Sequence, residues 1–303
     1  MNIAIDHVDV ASTADGLVAV AHSDNLITND RLYKWDRFGA FQWVKRYQNA
    51  HNPQSVLPQI DGSLVVGGFR AQTDTMWLAR HDADGNEQWS KRYNIIDPVT
   101  EEKCILLDMT NSGGEGGTSI IAVGYISRAD IRQRDGCIVN FDSDGDVLWT
   151  KYYEHDDILE FHAITTTDDG GFAIAGVTGF GPEHPVASAR NPLIMKIDAN
   201  GNLLWAKSLP INNRRAEFNA VVQGMDGYLY MAGGGTGDIR LTGSLIVARI
   251  DQDGTDPRHA IVFQDENWEA LLDFETWQDT DGGDTQFDTA YDLSALSDGC
   301  LLY

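Results

Sequence analysis

Cysteine is nearly absent: Cys104, Cys137 and Cys300 are the only three, and no CxxC pair occurs. That excludes a disulfide framework and a thiolate zinc site, so all three read as strand residues that pack as small buried hydrophobes. Long apolar runs are missing too. Nothing approaches the roughly 18 residues a membrane helix needs, so insertion into a membrane is excluded. The N-terminus, Met1-Asn2-Ile3-Ala4-Ile5-Asp6, has neither a basic n-region nor an apolar h-region. As read, the chain is cytoplasmic, or it belongs to a cell surface and its true start lies upstream. Base is scarce: 7 Lys and 15 Arg stand against 35 Asp and 11 Glu, for a net charge of −24. Phosphate binding needs clustered Lys and Arg, so nucleic acid and anionic membranes are poor partners. An Asp-rich, Lys-poor surface fits a salt-loving organism, and it also fits a repeat that spends an Asp at every turn. The common catalytic signatures are absent as well: no GxSxG, no P-loop, no HExxH. Paired-carboxylate hydrolysis stays open, because so many Asp residues single out no pair.

What is present is a repeat. With 42% hydrophobic and 10% aromatic residues the chain can bury a core. The pattern Asp-x-x-Gly-x-x-x-Trp-x-Lys-x-aromatic recurs as Asp36, Gly39, Trp43, Lys45, Tyr47; as Asp82, Gly85, Trp89, Lys91, Tyr93; and as Asp142, Gly145, Trp149, Lys151, Tyr153. A fourth copy, Asp198, Gly201, Trp205 and Lys207, has Leu209 in the aromatic place; a worn fifth keeps Asp251 and Gly254 but has Arg258 where Trp belongs. The Asp-to-Asp steps are 46, 60, 56 and 53 residues. Interleaved with it is Asp-Gly followed by alternating apolar residues, as in Asp61-Gly62-Ser63-Leu64-Val65-Val66-Gly67, closing with Asp298-Gly299-Cys300-Leu301-Leu302-Tyr303. Asp bonds its own turn backbone and Gly supplies φ > 0, so both motifs read as hairpin turns. Each repeat then holds four short strands, in the fourth at about 160–167, 171–177, 192–198 and 203–209. About 50 residues and four antiparallel strands per repeat predict an all-β β-propeller, with five full repeats and a partial sixth. The reading is one propeller domain over 1–303, incomplete at its C-terminus. Trp43, Trp89, Trp149 and Trp205 share one register and are expected to fill equivalent, mostly buried inter-blade slots.

Two stretches carry a resemblance. Asp169-Gly170-Gly171-Phe172-Ala173-Ile174-Ala175-Gly176, followed by Lys196-Ile197-Asp198-Ala199-Asn200-Gly201-Asn202-Leu203-Leu204-Trp205, resembles the DGGF…G and DxxGxxxW repeats of bacterial and archaeal propeller proteins. It is also similar to the quinoprotein-type propeller repeat, whose Trp docks each blade on its neighbour, although the turn here is one residue shorter. The resemblance spans about residues 6–264 and implies the fold. It brings no catalytic residue and no quinone.

In an up-and-down blade the first and third connections lie at one end, and these are the short Asp turns. Every variable loop falls at the other end, where binding usually resides. The densest ligand set there is Glu154, His155, Asp156 and Asp157 with Glu160 and His162, residue types that suit zinc, manganese or iron, though their spacing matches no metal motif and a solvated loop is the better explanation. The turns Asp82–Gly85 and Asp142–Asp146 resemble pieces of calcium loops, which makes calcium the one cofactor in view, although the hairpin role already accounts for them. In the longest link, 265–286, a short helix carrying Trp268, with Trp277 near its end, reads as an apolar plug or a partner-binding lid. Asp279, Asp281 and Asp284 follow at spacings that suit one cation.

The leading reading is a non-catalytic binding or scaffold propeller that uses the variable-loop face for a protein or carbohydrate partner. The rival is a propeller hydrolase or lyase with carboxylates at a central channel, for which His162, Glu217, Asp288 and Asp292 are the candidates.

Overall fold

The computed structural model describes residues 7–22, 30–47, 52–70, 73, 75–95, 103–112, 119–127, 134–153, 158–179, 190–209, 215–236, 243–262, 275–276, 294–295 and 301–302. Among them every regular element is a strand. The chain divides into two compact units, the first Met1–Asn111, Glu115–Ser127 and Cys137–Thr150, the second Ser112–Gly114, Arg128–Gly136 and Lys151–Tyr303.

In the first unit, β1 (His7–Thr13), β2 (Gly16–His22), β3 (Arg31–Asp36) and β4 (Phe41–Arg46) form an antiparallel sheet in chain order. β5 (Pro53–Pro58), β6 (Leu64–Arg70), β7 (Thr75–His81) and β8 (Glu87–Tyr93) form a second. A third set, β9 (Cys104–Ser112), β10 (Ser119–Ser127), β11 (Arg134–Phe141) and β12 (Val147–Tyr153), follows the same order, and the boundary between the units runs through it. The second unit holds β13 (Ile158–Thr166), β14 (Phe172–Gly179), β15 (Arg190–Ile197) and β16 (Leu203–Ser208), then β17 (Arg215–Gln223), β18 (Leu229–Thr236), β19 (Gly243–Ile250) and β20 (Arg258–Val262). Each set is a propeller blade, and the strands of the fourth lie within two residues of their expected bounds.

Burial follows strand position. β14, with its run of Ala, Ile and Val, is buried on both faces because a blade is covered on each side, whereas the outer strand β16 is almost wholly exposed. In the second unit Phe218, Leu229, Met231 and Ile246 pack with Ala173 and Ile194, so the fourth and fifth blades share one core. In the first unit Trp77, Leu64, Val66, Val18 and Leu32 play that part. Fully burying one such side chain contributes about 1.5–3 kcal/mol.

Three short pieces follow. Glu275–Thr276 pairs antiparallel with β20, adding a fifth strand to that blade. Ser294–Ala295 pairs antiparallel with Leu301–Leu302, the strand pairing that the Asp298-Gly299 turn calls for. The helix expected around Trp268 and the rest of 263–303 lie outside the described residues.

The cysteine reading is corrected. Cys104, at the start of β9, and Cys137, in β11, are joined by a disulfide, their Cα atoms 6.3 Å apart and 33 residues apart in sequence. The first and third strands of that blade approach there, which residue spacing alone does not show.

Candidate functional site

The turn ends of the blades are spent on structure. In the Asp-x-x-Gly turn the Asp carboxylate accepts from its own backbone: Asp198 Oδ1 takes the amides of Asn200 and Asn202 at 2.9 and 2.7 Å, and Oδ2 takes the Asn202 side chain at 2.8 Å. Asp82 does the same with Asp84 and Asn86. These bonds hold both carboxyls below their ordinary range. The Gly of the turn then receives the preceding blade. Gly145 has φ +78°, and a Cβ there would lie 2.7 Å from the Trp89 ring. The Tyr93 hydroxyl donates to the Gly145 carbonyl at 2.6 Å, and Lys91 reaches Asp146 at 2.5 Å. In the second unit Tyr153 donates to the Gly201 carbonyl at 2.5 Å, Lys151 donates to Asn202 at 2.7 Å, and Trp205 Nε1 donates to the Gln252 carbonyl at 2.8 Å. The Trp-x-Lys-x-Tyr spacing is therefore a docking device, since alternate strand residues share one face. Trp43, Trp89, Trp149 and Trp205 are half-buried, less than expected, because the outer strand that carries them is open to solvent on its other side.

A second contact at the same end of the blades joins a cation of the third strand to the Asp-Gly hairpin between the first two. Lys196 is fully buried and pairs with Asp169 at 2.8 Å; Lys34 pairs with Asp15 at 2.9 Å, and Arg80 with Asp61 at 2.7 Å. Burial alone would raise the Asp169 carboxyl. The Lys196, Thr167 and Gly171 hydrogen bonds outweigh it and bring the value down to about 2.

The other end of the strands is different. There β11 runs parallel to β13 through Arg134 opposite Ile158, and β15 runs parallel to β17 through Arg190 opposite Arg215. The starts of four strands thus converge where the variable loops attach. Glu160, from β13, is 3% exposed and sits between two guanidinium groups, Arg134 at 2.7 Å from Oε2 and Arg190 at 3.5 Å from Oε1. Arg190 also faces Glu217 of β17 at 3.9 Å. His162 lies at a bulge in β13 and directs Nδ1 to Asn219 Oδ1 at 3.0 Å, with Nε2 3.5 Å from Glu160 Oε2. Asn219 occupies the equivalent bulge of β17. Gly176 and Gly233 permit this crowding, since a Cβ on either would lie 2.0 Å from the carbonyl oxygen of Glu160 or Glu217.

The electrostatics follow from these contacts. Burial would raise the Glu160 carboxyl, but His162, Arg134 and Arg190 prevail and hold it below its ordinary 4.5. Burial likewise opposes a charge on His162, but the Glu160 hydrogen bond, the charges of Glu217 and Glu160 and the Asn219 bond raise it above 6.5. Both ring nitrogens face acceptors, so the imidazolium form satisfies both.

The structure thus brings Glu160, His162 and Glu217 together. His155, Asp156, Asp157, Trp268, Trp277, Asp279, Asp281, Asp284, Asp288 and Asp292 lie outside the described residues. Among the described residues no group of three or more His, Cys, Asp or Glu side chains is placed to hold a metal ion. Sequence reasoning missed Arg134, Arg190 and Asn219. The two arginines open third strands directly after variable loops, each eight residues before the Asp of its Asp-x-x-Gly turn, Asp142 and Asp198, a register that was there to be read. Asn219 was detectable, since it stands where His162 stands one blade earlier. In the first unit the corresponding end holds a tighter knot: His22 Nδ1 lies 2.6 Å from Asp30 Oδ1, and Asp30 Oδ2 accepts from the Asn52 amide at 3.3 Å, all three residues buried.

No protein-family model matches the sequence, and no curated protein matches it. Solved structures do. A protein of unknown function from Bacteroides caccae aligns with TM-score 0.51 at 14% identity, over 95% of this chain and 82% of that one. Puromycin hydrolase aligns with TM-score 0.53 at 13% identity, over 85% of this chain and 39% of that one. The Dos1 propeller aligns with TM-score 0.49 at 12% identity, over 94% of this chain and 71% of that one. Likeness at such identity concerns the fold alone. The chain is a β-propeller of four-stranded antiparallel blades.

Proposed function

We propose that this chain is a binding propeller that does no chemistry and takes its ligand at the variable-loop ends of the fourth and fifth blades. It is read as one propeller domain of five full repeats and a partial sixth, of the DGGF and DxxGxxxW repeat type. The observation that carries the reading is the Arg134–Glu160–Arg190–Glu217 network, at the end of the blades that the docking device does not use. Arg190 and Glu217 are partly exposed, with side-chain exposures of 28% and 35%. Their mutual contact, at 3.9 Å, is too long for a hydrogen bond, so both have polar atoms to offer. Glu160 is held below its ordinary 4.5 between two guanidinium groups, away from the pKa near the working pH that a general acid or base needs, and both ring nitrogens of His162 are engaged, one by Asn219 and one by Glu160.

A second reading, a hydrolase or lyase, draws support from the meeting of His162 and Glu217 in one network, and the neighbour named puromycin hydrolase is in keeping with it. One experiment separates the two. Sugars, carboxylates, amines and amino acids are screened by thermal shift against the native protein and the Arg190→Ala and Glu217→Ala variants. A compound that raises the native melting temperature, has no effect on the variants and is recovered unchanged after long incubation supports binding. Its consumption by the native protein alone supports the enzyme.

A further inference from the structure

The Arg190 region allows the class of ligand to be named, on the premise that the binding reading above holds. Glu160 is 97% buried as the complement of its 3% exposure, yet its Oε1 makes no hydrogen bond among the described residues. The nearest cation to that oxygen is the Arg190 guanidinium at 3.5 Å, and Arg190 in turn stands 3.9 Å from Glu217 Oε2. An ionised oxygen buried without a donor is costly, typically about 1–3 kcal/mol or more. Oε1 is itself sealed from solvent, so that demand falls on Arg190, which stays 3.5 Å away and partly exposed. Arg190 wants the opposite, an acceptor, because guanidinium groups only donate.

The sign of the charge decides between ligand classes. A carboxylate or phosphate would meet Glu160 and Glu217 in a chain of net charge −24. An amine would meet Arg134 and Arg190. A hydroxyl meets neither objection: it donates to the Glu217 carboxylate and accepts from Arg190 with the same oxygen. Neighbouring hydroxyls on a rigid ring repeat that double role at the spacing of adjacent side chains.

We propose that Arg190 and Glu217, backed by the buried Glu160, form a recognition site for vicinal hydroxyl groups of a neutral carbohydrate. The hydroxyls replace the long Arg190–Glu217 ion pair with short hydrogen bonds and leave the network's charge balance intact. Arg134 and His162 act behind the site as positioning residues, fixing Glu160 Oε2 so that Oε1 meets Arg190.

The test uses the whole chain on an array of immobilised neutral, uronate-containing and amino-sugar oligosaccharides, with hits re-measured by titration calorimetry. At least one neutral oligosaccharide should bind saturably. Arg190→Ala and Glu217→Ala should each weaken it about tenfold or more, equivalent to about 1.4 kcal/mol. Glu217→Gln, which keeps an acceptor and adds a donor, should weaken it less than Glu217→Ala. Melting temperatures of the variants, measured alongside, show that they fold. Preference for uronate or amino sugars, with the same sensitivity to Arg190, would overturn the neutral-hydroxyl assignment and leave the binding reading standing. Absence of any saturable glycan, or a neutral glycan indifferent to both variants, would overturn the site as drawn. The binding reading itself falls only when no compound of any class responds to Arg190 and Glu217 in the broader screen.

Discussion

His162 ties the fourth and fifth blades together through a charge, and that charge has a pH signature. Its folded-state value lies above 6.5. The stabilisation it contributes is therefore complete below that value and is lost as the pH rises through the folded one. Glu160 works in the opposite sense. Its value lies below 4.5, so its contribution is present above that pH and is lost as the pH falls through the folded value. The melting temperature should decline on both sides of this window. In His162→Gln the alkaline decline should shrink while the acid limb persists. Identical alkaline limbs in the two proteins would mean that the imidazolium ties nothing. This pair shows how the sequence informs and where it stops. Glu160 and His162 stood out as a charged cluster beside a variable loop. Their partners Arg134 and Arg190 share a register, eight residues before Asp142 and Asp198, but nothing in that spacing says that the convergence of strand starts brings it onto Glu160.

Strands and turns carry the account of stability. The docking device was legible because it lies on one short strand and one tight turn, where period two and a left-handed Gly fix the geometry. The half-buried state of the tryptophans was not, since exposure depends on what covers the outer strand. Trp205 has its indole over Gly254 and its N–H on the Gln252 carbonyl, so Trp205→Ala should cost about 3 kcal/mol or somewhat less, the low end for emptying an aromatic site. Gly145→Ala should cost roughly 1–2 kcal/mol from its positive φ alone, and more from contact with Trp89. Chemical denaturation of each variant reads these values, and near-native stability of Gly145→Ala would argue against the docking geometry. The Cys104–Cys137 bridge closes a loop across 33 residues of separation, for which chain entropy gives about 4 kcal/mol. Non-reducing peptide mapping should recover the cross-linked pair. Reduction should lower the denaturation midpoint, and Cys104→Ser should abolish that response to reductant. A midpoint indifferent to reductant in the native protein would mean that the bridge contributes nothing.

For the molecule as a whole, charge and division of labour matter most. A net charge of −24 makes the compact state repel itself at low ionic strength, and screening relieves this. The melting temperature should rise from low to molar salt, and a flat or falling curve would show that this self-repulsion does not govern stability. The turns absorb much of the Asp, as Asp82, Asp142 and Asp198 each cap their own backbone. The turn ends of the blades thus serve cohesion, and the variable-loop ends are those proposed for recognition. The most direct test is a paired measurement in the second unit. Melting temperature and affinity for the best ligand from the screen are determined for Asp198→Ala and for Glu217→Ala. Asp198→Ala should melt lower and bind as the native protein does, whereas Glu217→Ala, at a partly exposed side chain, should melt near the native temperature and bind at least about tenfold more weakly. Affinity lost in Asp198→Ala and retained in Glu217→Ala would contradict the account.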